Sequence, residues 1–160
     1  MIFLMVGTHT KPFNRLLQGI DDLIGAGEIR DKVVAQIGNT DYKPKNYVGK
    51  KFFEEGDRRK LIAAADVIIT HAGAGCIIDS LITGKPTIVF PRLRKFGEHT
   101  DDHQLEIAKA FGDEGKVVPV YDVSGIPKAI NDVKSIRLDV SGRKLTERLD
   151  EYLKAIDKIH

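Results

Sequence analysis

Three segments hold the residue types that do chemistry. The first is Gly7-Thr8-His9-Thr10, directly after the apolar run Ile2 to Val6. A glycine and two hydroxyl residues ahead of a helix can offer N–H and O–H donors to a diphosphate. The Gly-Lys-Ser/Thr spacing of a triphosphate loop is absent, and a plain strand-to-helix turn is the competing reading. The second is His71-Ala72-Gly73-Ala74-Gly75-Cys76-Ile77-Ile78-Asp79. Gly73 and Gly75 would let an anion approach bare backbone at a helix start, where the dipole favours negative charge. His71 could donate to a phosphate oxygen, and Asp79, one turn further on, could accept two ribose hydroxyls. The third glycine of a dinucleotide fingerprint is missing. Cys76 at a helix start could be an activated thiolate. Its apolar neighbours Ile77 and Ile78 favour an inert small residue in a tight turn.

The third segment runs from Pro91 to Gln104. His99 and His103 lie four apart and could share a helix face as metal ligands, but no further ligand spacing accompanies them, so no metal is expected. Gln104 has both a donor and an acceptor, suited to adjacent sugar hydroxyls. Arg92, Arg94 and Lys95 could meet a phosphate or an anionic lipid surface. A solvated loop balanced by Glu98, Asp101 and Asp102 is the expectation ranked ahead of that. His9 is the one candidate general base.

The elements around these segments alternate. Strands are expected at Ile2–Val6, Asp31–Ile37, Tyr47–Val48, Val67–Thr70, Thr87–Phe90 and Lys116–Val120. Helices are expected at Phe13–Ile24, Arg58–Ala65, Cys76–Thr83, Asp101–Phe111 and Ser124–Asp132, the last with Ser124 as cap and Pro127 in its first turn. Continuous β-branched runs between amphipathic helices imply a parallel sheet covered on both faces, hence a doubly wound α/β, Rossmann-like fold. Such sheets take ligands at the carboxyl ends of their strands. From Ser141 to Ile159, apolar residues recur every three or four positions, which predicts a C-terminal amphipathic helix.

Composition narrows the classes. The 160 residues suffice for one domain; 42% are hydrophobic and 30% charged, which excludes a disordered or collagen-like chain. Twenty-five basic against 23 acidic residues give a net charge of +2, too little for a nucleic-acid-binding field. One cysteine excludes an internal disulfide framework. No apolar run approaches the roughly 20 residues of a membrane helix, and the apolar start reads as a buried strand.

Taken in order, these pieces resemble a known pattern. Val6-Gly7-Thr8, Pro12 to Leu16, Gln36-Ile37-Gly38, Ala63 to Asp66, His71 to Gly75 with Asp79, Gly84-Lys85-Pro86 and Gly97 to Gln104 together resemble the C-terminal, donor-binding domain of GT-B glycosyltransferases of the family 28 type. The chain is similar to the small subunits of two-component bacterial exopolysaccharide transferases and of the eukaryotic dolichol-linked N-acetylglucosamine transferase. The resemblance covers about residues 1 to 132.

It implies that Gly7, Thr8 and Thr10 face the diphosphate of a UDP-sugar. It gives His71 a phosphate contact, and Gly73, Ala74, Gly75 and Cys76 backbone donors to the phosphates. Asp79 becomes the ribose ligand, in place of the family's usual Glu. His103 and Gln104 contact the donor sugar, and the stretch around Phe52 and Phe53 forms the uracil wall. Metal-independent transfer with no cofactor is implied.

The expectation is therefore a UDP-sugar-binding unit over residues 1–135 and a helix over 136–160, available for docking a partner or for packing on its own domain. The missing half of the enzyme is expected on a separate membrane-associated subunit. With it, the chain would transfer a hexose to a lipid-linked acceptor for polysaccharide or glycolipid synthesis at the cytoplasmic face of the membrane. A self-sufficient homodimeric transferase and a non-catalytic nucleotide-binding module are the alternatives; a nicotinamide oxidoreductase is disfavoured by the broken glycine fingerprint.

Overall fold

The computed structural model describes residues 1–135. The expected terminal helix, Ser141 to Ile159, lies outside them. Six strands form one parallel sheet: β1 (Ile2–Met5), β2 (Val33–Gln36), β3 (Val48–Lys50), β4 (Val67–Thr70), β5 (Thr87–Val89) and β6 (Val118–Pro119). Their order is β3-β2-β1-β4-β5-β6. Five helices connect and cover them: α1 (Asn14–Gly25), α2 (Glu55–Ala64), α3 (Ala74–Ile82), α4 (His103–Asp113) and α5 (Ile126–Ser135). This is the Rossmann-like architecture, wound outward in both directions from the β1/β4 pair.

Alternation along β1 explains why helices cover both faces. Ile2, Leu4 and Val6 enter a core with Phe13, Leu16 and Leu17 of the α1 segment and Ile126, Ala129 and Ile130 of α5. Phe3 and Met5 point the other way, against Ile62 of α2 and Ile68 of β4. A third cluster joins Ile77 and Leu81 of α3 to Ile107 and Phe111 of α4. A strand buried on both faces has no place for polar alternation, which is why β1 and the Val67 to Ile69 stretch of β4 read as unbroken apolar runs. No described helix is long and apolar enough to cross a membrane.

Several boundaries differ from the sequence reading. Helix α2 starts at Glu55 rather than Arg58, with Glu55 and Asp57 in its first turn, where acidic residues suit the helix dipole. Helix α3 starts two residues before Cys76, with Gly73 in the cap position. Ser124 is not the cap of α5. It sits in a 3-10 turn over Val123–Gly125, and Asp122 Oδ1 accepts both its N–H (3.0 Å) and its hydroxyl (2.6 Å). Aspartate two residues ahead of an amide makes this local bond readily, and it displaced the expected serine cap.

The reversal of strand order fixes where a crevice must open. Connections leaving β1 and β4 diverge to opposite sides, so their loops part at the carboxyl edge of the sheet. Backbone bonds tie the two strand ends together: His71 N–H donates to the Met5 carbonyl (3.3 Å), and so does the Thr70 hydroxyl (3.0 Å).

Candidate functional site

A cavity of about 490 Å³ opens at this divergence. It is lined by Gly7 and Thr8 after β1 and by His71, Gly73, Gly75, Cys76 and Asp79 after β4. Five more residues complete it: Gln36 at the end of β2, Phe52 and Phe53 after β3, and Glu55 and Arg58 of α2. Seven of the residues singled out in the two glycine loops thus share one cavity. His9, Thr10, Ala74, His103 and Gln104 are not among its lining residues.

The α3 end of the cavity is an open set of donors. No side chain caps this helix, and its first internal bond runs from Ile77 N–H to the Gly73 carbonyl (3.1 Å). The amides of Ala74, Gly75 and Cys76 precede that bond, so none has an intrahelical acceptor. A Cβ on Gly75 would meet nothing within 4 Å. Gly73 has a different reason to lack one: its Cβ would collide with Nε2 of His71. Gly7, with φ +73°, would place a Cβ 2.7 Å from the same nitrogen. The two glycines enclose the imidazole, so part of the glycine pattern serves the histidine rather than the ligand.

His71 is 8% exposed. Burial lowers its pKa to about 3, and the nearby Arg92 charge adds to that, while a hydrogen bond to Met5 works the other way. The ring is neutral in the free protein. Burial likewise pushes the Cys76 thiol above its ordinary value, so the activated-thiolate reading gives way to a small residue that closes the helix start.

Asp79 is half-buried and already partnered. Its Oδ2 accepts from Arg58 Nη1 at 2.6 Å, and Arg58 Nη2 also meets Glu55 Oε2 at 2.8 Å. The Asp79 hydrogen bond holds the guanidinium pKa above its ordinary value. The other carboxylate oxygen remains for a ligand. The aromatic wall is built by packing: Phe53 stacks edge-on against Phe3 (6.0 Å), and its N–H donates to Gln36 Oε1 (3.3 Å). Gln36 and Arg58 carried no assigned role. A lone amide in the apolar strand Val33–Gln36 was a visible signal; Arg58 had none, because its meaning depends on α3 lying alongside α2.

The loop after β5 departs most from expectation. Arg92 is 1% exposed and donates to the carbonyls of Val6, Lys11 and Glu98 at 2.9–3.2 Å, so it serves neither a solvated loop nor a phosphate. Burial lowers its pKa to about 10, which leaves it charged at neutral pH. Glu98 is buried too, accepting from Arg15 at 2.8 and 2.9 Å and from Leu93 N–H at 2.9 Å. Gln104 is 6% exposed, and its Oε1 accepts the Arg92 N–H (3.0 Å), so its acceptor is used inside the chain rather than offered to a sugar.

His103 lies beside Glu106 (3.3 Å) and His99 beside Asp101 (3.0 Å). Among the described residues no group of three or more His, Cys, Asp or Glu side chains gathers to hold a metal. His9 accepts the Lys11 N–H at Nδ1 (3.1 Å) and stacks on His99 at 4.7 Å. With Nδ1 accepting, the neutral ring carries its proton on Nε2. That atom is then a donor, and a base role for His9 requires the Lys11 bond to break.

Comparison with known proteins bears on this arrangement. The pattern of the glycosyltransferase family 28 C-terminal domain matches residues 1–156. The human UDP-N-acetylglucosamine transferase subunit ALG13 is 29% identical over 130 residues, 71% of this chain and 10% of that protein. A Prochlorococcus marinus UDP-N-acetylglucosamine–N-acetylmuramyl-(pentapeptide) pyrophosphoryl-undecaprenol N-acetylglucosamine transferase is 28% identical over 119 residues, 70% of this chain and 32% of that one. The chain thus spans a tenth to a third of the length of these relatives. An ALG13 solution structure superposes with a TM-score of 0.62 at 22% identity, covering 92% of this chain and 93% of that one. At that identity the likeness concerns the fold.

Proposed function

Because the chain belongs to the glycosyltransferase family 28 C-terminal domain family, we propose that it is the donor-binding subunit of a two-component glycosyltransferase. It takes a UDP-sugar and, with a membrane-associated acceptor-binding partner, passes the sugar to a lipid-linked acceptor at the cytoplasmic face of the membrane. The observation that carries this reading is the cavity at the β1/β4 divergence, where an uncapped helix start, an anion-compatible glycine loop, a carboxylate and an aromatic wall line one space.

In this reading the diphosphate lies over the amides of Ala74, Gly75 and Cys76, beside Gly7 and Thr8. Asp79 accepts from the ribose hydroxyls through the oxygen that Arg58 leaves free. Uracil packs against Phe52 and Phe53. An acceptor oxygen attacks the anomeric carbon, the bond to the β-phosphate oxygen breaks, and the charge appearing on UDP meets fixed backbone dipoles that need no reorganisation. The base that takes the acceptor's proton is assigned to the partner. No cofactor beyond the donor is invoked.

Calorimetry tests the donor part: UDP binds and NAD does not. Binding of NAD without UDP would overturn it. Transfer to a lipid acceptor by the purified chain alone would overturn the two-component part. A donor panel headed by UDP-N-acetylglucosamine, the sugar nucleotide in the names of both relatives, then identifies the sugar.

A further inference from the structure

His71 sits in a hydrogen-bond arrangement that fixes where its proton lies. Its Nδ1 is 3.4 Å from Thr70 Oγ1. The Thr70 hydroxyl directs its own proton to the Met5 carbonyl at 3.0 Å, so toward the ring it can only accept. The Nδ1 position therefore carries the N–H, and Nε2 carries a lone pair. Nε2 lies between Gly7 and Gly73, both of which line the cavity. Arg92 Nε is the one buried side-chain nitrogen or oxygen among the described residues that lacks a partner, so unpartnered Nε2 is not sealed away but opens to the cavity.

This inference rests on the reading that a nucleoside diphosphate occupies the cavity. Phosphate oxygens at neutral pH are acceptors, and so is Nε2. Two lone pairs facing each other in a buried space are unfavourable, and the conflict ends when Nε2 gains a proton. We propose that binding of the donor diphosphate loads one proton from solvent onto Nε2 of His71, and that the resulting imidazolium joins the backbone dipoles in meeting the charge on the departing UDP. The proton bonds to the Nε2 lone pair, with no change in oxidation state. When the bond between the anomeric carbon and the β-phosphate oxygen breaks, its electron pair stays on that oxygen, which accepts from Nε2–H. The proton returns to solvent when UDP leaves.

The groups around the ring explain why this is coupled to the ligand. Arg92 from the β5 end, His9 after β1 and His99 before α4 all oppose a charge on His71. Cys76 and Asp79 of α3 and Arg58 of α2 line the same cavity, and Arg58 already pairs with Asp79. Without a ligand, burial and the Arg92 charge keep the ring neutral. One opposite charge within about 4–6 Å moves a pKa by about 1–3. At pH 7.5 UDP brings three negative charges and UMP two, so UDP should raise the pKa of the ring further than UMP does.

The test is calorimetric titration of UDP at pH 7.5, where its terminal phosphate (pKa about 6) is already ionised. Buffers with different ionisation enthalpies, such as PIPES, HEPES and Tris, read out proton transfer. The slope of observed enthalpy against buffer enthalpy should show uptake of close to one proton for UDP and clearly less for UMP. The sign follows: a complex that takes up protons weakens as pH rises, so UDP affinity should fall by close to tenfold per pH unit around pH 7.5, and less steeply once pH passes the pKa of the bound ring. His71→Gln should abolish the uptake and flatten the pH dependence, whereas His99→Gln should keep both.

UDP binding with no proton uptake would overturn the inference while leaving the donor reading intact. That result would mean that Thr70 turns its hydroxyl toward Nδ1 and the ring changes tautomer instead. Failure of UDP to bind the wild-type chain would overturn the donor reading itself. Should His71→Gln fail to fold, the wild-type slope, its UMP control and its persistence in His99→Gln still decide.

Discussion

Helices α3 and α4 each follow a central strand, start at the same edge of the sheet and open on residues suited to chemistry. They differ in what the chain has done with those residues. At α3 no side chain reaches the first amides, Gly75 faces open space, and His71 turns an unpartnered nitrogen to the cavity. At α4 the chain has used the same kinds of group on itself. Asp101 Oδ1 takes the His103 N–H (3.0 Å), Asp102 Oδ1 takes the Arg94 N–H (2.9 Å), and Gln104 Oε1 takes the Arg92 N–H (3.0 Å). A helix start attracts an anion, and at α4 the nearby anions are the chain's own aspartates. The difference lies less in residue type than in whether a carboxylate stands in the two residues just ahead of the helix. Glycine at the α3 start withholds that cap. From this contrast, changes at the α4 side should act on stability and changes at the α3 side on ligand binding.

The largest expected effect is Glu98→Ala. Glu98 accepts from Nε and Nη2 of Arg15 and from the Leu93 amide, and Arg15 also stacks on Phe90 (4.4 Å) and Phe96 (4.8 Å). Removing the carboxylate strands a largely buried guanidinium and a buried amide, which should lower unfolding free energy by about 3 kcal/mol. A urea titration should show the midpoint falling with the slope unchanged. UDP affinity of the folded protein should change by less than about threefold. If affinity collapses and stability does not, the loop after β5 belongs to the binding surface and the contrast fails.

Asp79→Ala comes next and should behave in the opposite way. Loss of hydrogen bonds to a charged acceptor should weaken UDP binding by about 1.5–3 kcal/mol. Stability should move little, because Arg58 keeps Glu55 as a partner (2.8 Å). Comparison of UDP with 2′-deoxy-UDP sharpens this. Wild type should discriminate between them, and Asp79→Ala should not; equal loss for both would remove Asp79 from the ribose.

The two glycines at the α3 start then separate two reasons for the same residue. In Gly73→Ala the new methyl displaces the His71 ring, and UDP affinity should fall about tenfold, or 1.4 kcal/mol. In Gly75→Ala the methyl enters open space, so thermal unfolding should show a gain of about 0.4–1 kcal/mol from the stiffer unfolded chain. UDP affinity should still fall, because the methyl stands where the phosphate approaches bare backbone. A Gly75→Ala protein with unchanged affinity would mean the phosphates lie elsewhere.

What was readable in advance follows the same division. The doubly wound sheet was legible because Ile2–Met5 and Val67 to Ile69 are unbroken apolar runs, and only a strand buried on both faces needs those. The glycine loops were legible because backbone geometry is local. Arg92 and Glu98 were not, since the same side chains read as a solvated loop until α1 brings Arg15 and Phe13 against them, 83 positions away in the Arg15–Glu98 case. Arg58 was invisible for the same reason: its partner Asp79 lies on another helix, 21 residues on. Local pattern reports backbone and burial, whereas a polar side chain's task is set by what the fold lays across it.

Gln104→Ala is the smallest effect and the closest test of that division. Read from its chemistry alone, the amide belongs to the donor sugar, so its loss should spare UDP and weaken the intact UDP-sugar. Its geometry points inward: Oε1 accepts the amide of Arg92, whose side chain braces the Val6 carbonyl at the end of β1 (3.0 Å). Loss of that acceptor leaves a buried N–H unsatisfied and should lower stability by about 1 kcal/mol in a urea titration. Affinities for UDP and for the UDP-sugar should then shift together and slightly, because what loosens is the support under Gly7 rather than a contact with the sugar. A selective loss for the UDP-sugar would instead show that the amide's nitrogen end reaches the donor while its oxygen holds the loop. The α4 start would then share in the site through a residue the chain has only half used.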